Sequence, residues 1–343
     1  DHFDSRRGGK RLYSRMQPAP GVPRDACLAR ALRPEATIEV ASSQDAPSFP
    51  FARAPGDQCQ EAEGGCDFPG GCWWRYSIAG AGDVRLLQCP DIGLGGRVWP
   101  VGLLLARELE RRLVSVSAAA GQKAVRYRVL ELGGGCGLVS LVLARLGHHV
   151  VLTDTPALQG LICANVRANE AGNASSGGGI VHGVLAWGDD GDASRIAAEG
   201  PFDLIVGADV TYLAHVRRKV TRTISRLCSP ETLVVLAHAA REEDNVEAVV
   251  EALGSDFEHV GQLAEASLRD PRDLGSKVRD AAVLLFRPLE GRGLPDGSSN
   301  DAAFAAADEA AGQADRSASC TCCGAPISAA LAVAICGACL AEF

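Results

Sequence analysis

The chain of 343 residues lacks an apolar run long enough to cross a bilayer. The run at 138–152 is interrupted by Arg145, and the run at 327–341 is shorter than the roughly 20 residues that a transmembrane helix needs. The N-terminal residues include arginines but no apolar core of the kind found in secretory signals. We therefore expect no membrane partner and interpret the N-terminus as a disordered tail, with a transit peptide as the alternative. Because the chain begins with Asp1, we expect a processed chain or a fragment.

The chain also lacks an excess of positive charge, since its formal net charge is −8. Residues 1–34 contain seven Arg and one Lys against three Asp, a net of +5, which leaves −13 for the remainder. Contacts to phosphates depend on Lys and Arg, so an acidic body disfavours a nucleic-acid partner. It suits a basic partner, such as a lysine-bearing protein surface, although solubility alone is the simpler explanation.

The thirteen cysteines lack the even count and regular spread of a disulfide framework in a small secreted domain. We therefore expect a reduced compartment and a cytoplasmic location, with the nucleus left open as a second location. Four cysteines form two pairs with twelve residues between them, Cys320-x2-Cys323 and Cys336-x2-Cys339. Such pairs supply four thiolates for tetrahedral zinc. A redox pair or a fortuitous cysteine-rich tail is the alternative.

From residue 128 onwards, strand-like and helix-like apolar patterns alternate. The alternation predicts βαβ units in an α/β, doubly wound, mainly parallel sheet. Its end is expected to be antiparallel, because only a loop separates the last two strands. The predicted strands are 128–132, 149–153, 180–185, 203–208, 232–238, 257–263 and 281–287, and the predicted helices are 137–146, 156–170, 215–228 and 242–253.

Before this sheet, the sequence predicts a hairpin at 73–80 and 84–89, an amphipathic helix within 95–113, and a surface loop at 114–125. The flanking regions are rich in small residues and show little periodicity. The predicted parts are a poorly ordered extension at 1–72, a folded domain at 73–288, a low-complexity linker at 289–319 and a small cysteine-rich segment at 320–343.

The segment ELGGGCG at 131–137 places glycines in the pattern G-x-G-x-G directly after the first strand of this sheet. Doubly wound sheets bind ligands beyond the carboxyl ends of their strands, and glycine permits both a left-handed turn and close approach of a ligand to the main chain. Asp154 ends the next strand, 19 residues after Gly135, where a carboxylate can accept hydrogen bonds from both ribose hydroxyls. We infer a nucleoside-like cofactor; a tight turn without a ligand is the alternative.

The spacing of the glycines discriminates between such cofactors. A dinucleotide fingerprint needs G-x-G-x-x-G, but Leu138 stands at its third glycine, and no Gly-Lys-Ser/Thr follows as it would in a phosphate-binding loop. An acidic residue followed by G-x-G-x-G, here starting at Glu131, is the form used for S-adenosylmethionine. The spacing disfavours a nicotinamide dehydrogenase and predicts S-adenosyl-L-methionine as the cofactor.

Five stretches resemble the family-16 class I methyltransferases, the group that contains the methyltransferase-like 21 protein-lysine methyltransferases. The resemblance covers roughly residues 73–288 and implies the class I methyltransferase sheet of seven strands, with a protein substrate. The cysteine tail resembles the opening half of a MYND-type zinc finger, a protein-interaction module whose other ligands would lie past residue 343. The five stretches are RVWPVGLLLARELE at 97–110, RVLELGGGCGLVSLVLARLG at 128–147, VVLTD with NVRAN within 150–169, PFDLIVGADVTYLAHV at 201–216 and AHAAREEDNVEAVVEAL at 237–253.

The resemblance also implies which residues line the cofactor. Trp99 would contact its methionine end or close the pocket, and Trp187 would pack near its adenine; for each, ordinary packing is the alternative. Asp189 is a weaker candidate for the adenine amino group. The residues expected at the cofactor are Trp99, Glu131, Gly133, Gly135, Gly137, Asp154, Trp187 and Asp209.

The segment GADVTY at 207–212 supplies the predicted catalytic residues, Asp209 and Tyr212. A lysine with a pKa of about 10.4 must lose its proton before it can accept a methyl group. Asp209 would hold the incoming ammonium, Tyr212 would orient the nitrogen, and alignment of the reactants would supply most of the rate. Capping of the next helix is the alternative for Asp209. Val210 and Thr211 replace the paired prolines of enzymes that methylate planar amides or base amines, which disfavours those acceptors.

The sequence thus favours methyl transfer to a protein side chain, with lysine Nε ahead of the alternatives. These are methyl transfer to histidine or to a small molecule, and a catalytically inactive scaffold that acts through the cysteine tail. The retention of Asp209 and Tyr212 beside an intact glycine turn and Asp154 favours the enzyme. We expect a protein substrate, a second protein partner bound by the tail, and zinc in that tail.

Overall fold

The computed structural model describes residues 24–34, 68, 71–78, 82–119, 125–240, 245–268 and 279–289. The four cysteines predicted to bind zinc lie outside these residues, as do most of the N-terminal extension and the linker from residue 290. The predictions made for those segments stay predictions.

Helices and strands alternate through the described residues, after a hairpin that precedes the main sheet. None of these helices is long and apolar enough to cross a membrane. In chain order the elements are α1 (Arg24–Ala31), β1 (Cys72–Ile78), β2 (Gly82–Gln88), α2 (Pro100–Ala119), β3 (Arg128–Leu132), α3 (Leu138–Arg145), β4 (His149–Asp154), α4 (Gln159–Ser176), β5 (Gly179–Val184), α5 (Asp190–Ala197), β6 (Leu204–Ala208), α6 (Ala214–Leu227), β7 (Leu233–Ala239), α7 (Val246–Leu253), β8 (Phe257–Leu268) and β9 (Arg279–Pro288).

Strands β3 to β9 form one sheet in the order β5-β4-β3-β6-β7-β9-β8. Neighbouring strands from β5 to β7 are parallel, and β9 lies antiparallel between β7 and β8. The chain leaves β3 towards β4 and β5 and then returns to the other side of β3 with β6. This reversal opens a crevice at the carboxyl ends of β3 and β6. The topology confirms the predicted doubly wound sheet of seven strands with an antiparallel end.

The sheet is covered on both faces, which explains why its central strands are apolar almost throughout. Successive side chains of β3 point to opposite faces: Val129 packs in the cluster that contains α2 and α3, whereas Leu130 and Leu132 pack in the cluster that contains α6 and α7. Glu131 is the polar exception within this strand, and it is buried. A buried carboxylate needs partners, so its surroundings bear on the site described below.

Helix α1 lies inside the segment that we expected to be a loose extension, and for residues 24–34 that expectation is corrected. Leu28 and Leu32, one helical turn apart, are fully buried in the same cluster as α2. The buried Arg112 of α2 donates from Nη1 to the carbonyl oxygen of Arg33 at 2.8 Å and from Nη2 to that of Leu263 at 2.8 Å. The guanidinium thus satisfies one carbonyl that follows α1 and one carbonyl in β8.

Two other helices differ from the sequence predictions. Helix α2 continues to Ala119, through residues that we expected to form a surface loop. Helix α5 was not predicted; it is short and polar, and Asp189 caps it by accepting a hydrogen bond from the main-chain N–H of Asp192 at 2.7 Å. Both errors have the same cause, because small and polar residues hide the apolar periodicity on which a helix prediction depends.

The hairpin of β1 and β2 forms a separate two-stranded sheet. It is attached to α4 by two buried asparagines, Asn165 and Asn169. Asn165 pairs with both main-chain polar groups of Leu87, and Asn169 does the same with Arg85. The side-chain amides therefore take the place of a neighbouring strand along the edge of β2.

Candidate active site

The glycine turn between β3 and α3 has a left-handed backbone at three positions. The φ angles of Gly133, Gly135 and Gly137 are 58°, 54° and 83°. A Cβ atom on Gly133 would lie 2.8 Å from Cζ2 of Trp187, and a Cβ atom on Gly135 would lie 2.8 Å from the carbonyl oxygen of Gly95. Both the backbone conformation and the packing therefore require glycine.

Asp154 lies beside this turn, at the carboxyl end of β4. Its Oδ2 accepts a hydrogen bond from the main-chain N–H of Gly135 at 2.8 Å, and its Oδ1 accepts one from the N–H of Thr155 at 2.7 Å. Burial raises the pKa of Asp154, and these two hydrogen bonds oppose that rise. A carboxylate offers about four acceptor positions, so both oxygens can still accept from the hydroxyls of a ribose.

Glu131 lies under the glycine turn and faces the start of α3. Its Oε2 accepts hydrogen bonds from the main-chain N–H of Ser140, at 2.9 Å, and from the Ser140 hydroxyl. Burial raises the pKa of Glu131 to about 7, against the effect of the bonds from Ser140. The carboxylate thus supports the first turn of α3, and contact with the cofactor stays a prediction for this residue.

Both tryptophans expected at the cofactor are half-buried. Nε1 of Trp99 donates to the carbonyl oxygen of Leu94 at 2.9 Å, and the Arg97 guanidinium lies 3.9 Å from the centre of a Trp99 ring. Trp99 thus holds the loop whose Gly95 packs on Gly135. Trp187 packs beside Gly133, and its contact with the adenine stays a prediction. Asp189, the weaker candidate, is engaged as the cap of α5.

Asp209 follows β6 and has a φ of +57°, which makes it the one non-glycine residue with a left-handed backbone in the part of the chain that the structure describes. Such a conformation costs energy even for Asp, and strain of this kind concentrates at functional sites. Its main-chain N–H donates to the carbonyl oxygen of Ala237 at 2.7 Å. Helix α6 begins at Ala214, and the residue at its N-cap position is Leu213. Asp209 therefore does not occupy the capping position, which removes the alternative role considered for it.

The turn from Asp209 to Tyr212 is held from below by buried polar groups. Oγ1 of Thr211 lies 3.0 Å from Nδ1 of His238 on β7, and the carbonyl oxygen of Thr211 accepts a hydrogen bond from Nε of Arg217 on α6 at 2.9 Å. The side chains of Thr211 and His238 are completely buried, and Arg217 is nearly so. The sequence analysis missed all three as parts of the site. The one local signal in the sequence was the polar Thr211 between Val210 and Tyr212, which indicates a side chain that needs a hydrogen-bond partner.

The cofactor turn and the Asp209 turn adjoin, because β3 and β6 are direct neighbours in the sheet. Leu132 pairs with Gly207 at the ends of these strands, and a Cβ on Gly133 would lie 3.0 Å from Cγ1 of Val210. The structure therefore brings Trp187, the glycine turn and the Asp209 turn to one edge, with Asp154 on the next strand. Among the described residues, no cluster of three or more His, Cys, Asp or Glu side chains could hold a metal ion.

Comparison with known proteins places this site in a family. A family model described as lysine methyltransferase matches residues 83–251, which contain the glycine turn, Asp154 and the Asp209 turn. The EEF1A lysine methyltransferase 3 of Xenopus tropicalis is 31% identical over 171 residues, which cover 49% of this chain and 69% of the relative. The protein N-lysine methyltransferase METTL21A of Danio rerio is 33% identical over 162 residues, which cover 47% of this chain and 68% of the relative.

A solved structure of magnesium protoporphyrin IX methyltransferase from Synechocystis, with bound S-adenosylmethionine, matches 58% of this chain and 88% of its own at 17% identity and a TM-score of 0.38. The two relatives carry the assignment, because each exceeds 30% identity and is covered over more than two thirds of its length. The chain belongs to the family-16 lysine methyltransferases.

Proposed function

We propose that this protein transfers the methyl group of S-adenosylmethionine to the Nε of a lysine in a protein substrate. The observation that carries the proposal is the junction of two turns at the reversal point of the sheet. One is the glycine turn braced by Asp154, and the other is the strained turn that carries Asp209 and Tyr212.

The residues present fit S-adenosylmethionine. Asp154 would bind the ribose, the main chain of the glycine turn would lie along the cofactor, and Trp187 would pack near the adenine. The three left-handed glycines carry no side chains, so a ligand can approach the main chain of the turn at these positions. When bound, the cofactor supplies an electrophilic methyl group on a positively charged sulfur.

The acceptor side of the site is assigned to the turn after β6. A lysine enters as an ammonium ion and loses its proton to water before it reacts, because a protonated nitrogen has no lone pair. Asp209 would hold the ammonium, and Tyr212 would orient the neutral nitrogen. The hydrogen bond between Thr211 and His238, and the one that Arg217 donates to Thr211, keep the turn in one conformation. Little reorganisation is therefore needed when the reactants meet.

The competing hypotheses are a histidine or small-molecule acceptor and an inactive scaffold. The relatives are an EEF1A lysine methyltransferase and a protein N-lysine methyltransferase, which supports lysine over the other acceptors. The retained carboxylates Asp154 and Asp209 support an enzyme over a scaffold.

The test is a methyl-transfer assay with radiolabelled S-adenosylmethionine on proteins of a cell lysate, followed by mass spectrometry of the labelled sites. We expect methyl-lysine, and label must be lost in Asp209→Asn protein that still binds S-adenosylhomocysteine. If the methyl label is found only on histidine, the acceptor is histidine and the lysine assignment is wrong. Binding of S-adenosylhomocysteine without any transfer would favour the scaffold, and absence of binding would overturn the cofactor site.

The zinc site in the cysteine tail is a separate part of the proposal. The spacing of Cys320, Cys323, Cys336 and Cys339 supports it, and these residues lie outside the described part of the chain. Metal analysis of the full chain should find one zinc per molecule. The Cys320→Ser and Cys339→Ser variants should lose the zinc, and Cys322→Ser shows whether the neighbouring Cys322 is a spare thiol or an alternative ligand. Zinc in none of these proteins would overturn both the metal site and the MYND-type partner surface.

The proposed location is the cytoplasm, as the odd number and the spread of the cysteines suggest, with the nucleus as a second location. Fractionation of cells that express the tagged protein tests this. Recovery in a secreted fraction, or in an organelle other than the nucleus, would contradict it.

A further inference from the structure

We infer that Asn165 is a positioning residue for the cofactor turn, because its buried amide joins Cys136, in the middle of that turn, to the hairpin of β1 and β2. The inference rests on the proposed cofactor site. According to this inference, Asn165 on α4 affects the affinity for S-adenosylmethionine although it does not contact the cofactor.

The Asn165 side chain is completely buried and uses each part of its amide. Oδ1 accepts a hydrogen bond from the N–H of Leu87 at 2.6 Å. Nδ2 donates to the carbonyl oxygen of Leu87 at 3.0 Å and to the carbonyl oxygen of Cys136 at 2.9 Å. A primary amide has two N–H donors, and both are engaged. One planar group therefore connects the edge of β2 with the glycine turn.

The glycine turn needs such anchors. Glycine has little backbone preference, so a run in which Gly133, Gly135 and Gly137 all take left-handed angles does not define its own shape. Hydrogen bonds from outside the turn must select one conformation. Asp154 holds the N–H of Gly135, on one side of Cys136, and Asn165 holds the carbonyl of Cys136 itself.

Loss of the bond from Asn165 would leave the carbonyl of Cys136 without this buried donor, which favours rotation of the neighbouring peptide groups. Such a rotation would move the N–H of Gly135 relative to Asp154. The carboxylate that is proposed to bind the ribose would then lose part of its fixed geometry, and the cofactor would have to restore it on binding.

Asn169 provides a matched comparison on the same helix. It is also buried, its Oδ1 accepts from the N–H of Arg85 at 3.0 Å, and its Nδ2 donates to the carbonyl oxygen of Arg85 at 2.7 Å. Its other bond goes to the main-chain carbonyl of Asn165, within α4, at 2.8 Å. The two asparagines thus attach the hairpin in the same way, and only Asn165 reaches the glycine turn.

The test compares Asn165→Ala with Asn169→Ala in the full chain. Thermal unfolding is measured first, and affinity for S-adenosylhomocysteine is then measured by calorimetry well below the lower Tm. We expect similar decreases in Tm, at least a tenfold loss of affinity in Asn165→Ala, and less than a twofold change in Asn169→Ala. Equal affinities in the two variants would overturn the inference. Absence of binding by the wild-type protein would instead overturn the proposed function.

A measurement on the wild-type protein covers the case in which Asn165→Ala does not fold. If Asn165 couples the turn to the hairpin, S-adenosylhomocysteine should slow hydrogen exchange in the β2 peptide around Leu87 as well as in the glycine turn, because coupling between two positions is reciprocal. Protection confined to the turn, with no change around Leu87, would contradict the inference without any variant.

Discussion

The main-chain N–H of Gly135 donates a hydrogen bond to Oδ2 of Asp154 across 2.8 Å, although the two residues are 19 positions apart. Parallel pairing of β3 with β4 brings them together, since Glu131 pairs with Leu152 near the ends of these strands. The carboxylate assigned to the ribose therefore also fixes the turn against which the cofactor is proposed to lie.

Replacement of Asp154 should weaken cofactor binding more than it weakens the fold. In Asp154→Ala we expect a loss of affinity for S-adenosylhomocysteine of about 100-fold, because bonds from two hydroxyls to a partly buried carboxylate are lost. Asp154→Asn keeps one acceptor for the N–H of Gly135 and should lose less, about tenfold. Calorimetry measures both, with thermal unfolding as the control. Unchanged affinity in the folded Ala variant would contradict the assignment.

The same affinity should depend on pH. Burial raises the pKa of Asp154, and ribose hydroxyls donate best to the ionised form. Affinity should therefore rise with pH until Asp154 is ionised and then level off, and it should fall as the pH drops through that pKa. Calorimetry from pH 8 down to the lowest pH at which the protein stays folded measures the effect, with Asp154→Asn as the reference that lacks this carboxyl group. An identical pH profile in that variant would show that another group is responsible.

Replacement of Asp209 by glycine should lower methyl transfer without lowering the stability of the fold. The left-handed backbone at Asp209 is strained, and glycine relieves that strain, so the free energy of unfolding should stay constant or rise by up to about 1 kcal/mol. Methyl transfer should fall at least 100-fold, because the carboxylate that holds the ammonium is gone. Affinity for S-adenosylhomocysteine, which Asp209 is also predicted to contact, should fall much less than transfer does. Denaturant unfolding and the radiolabel assay provide the two readouts. Normal transfer by this variant would remove Asp209 from the catalytic assignment.

Thr211→Val should impair transfer without loss of cofactor affinity. Valine fills the same volume but takes away the hydroxyl next to Nδ1 of buried His238, at a cost of about 1–3 kcal/mol. Greater freedom of the turn at Tyr212 should lower kcat by about tenfold. Thr221→Val is the control, because its hydroxyl bonds only to a carbonyl within α6, that of Arg217. Equal kcat in the two variants would argue against a positioning role for the Thr211 and His238 pair.

His148 should make the fold sensitive to acid. It is buried, and burial lowers its pKa to about 4. An unfolded histidine titrates near pH 6.5, so between pH 6.5 and 4 the unfolded state binds more protons and stability is lost as the pH falls. In His148→Gln this loss should be smaller by about 2 kcal/mol, as measured by denaturant unfolding at pH 7 and pH 4.5. Parallel losses in both proteins would assign the acid sensitivity to other groups.

Much of the fold follows from local sequence pattern. Strand β3 lies at residues 128–132, as predicted, because a strand covered on both faces is a short, mainly apolar run, here with Glu131 as its buried polar exception. The same pattern failed for α1, where burial of Leu28 and Leu32 depends on α2 and not on any periodicity within eight residues. Predictions were accurate where burial leaves a regular repeat and wrong where contact with another element supplies the stability.

The sequence by itself determined the chemistry of the cofactor side: the G-x-G-x-G spacing and Asp154 at the end of the next strand are local features, and each side chain acts near its own strand. Only the tertiary structure decided how those features are held. Asn165 meets Leu87 across 78 positions, and Thr211 meets His238 across 27. A buried polar group needs a hydrogen-bond partner, and tertiary packing determines which group, however distant in sequence, lies within bonding distance.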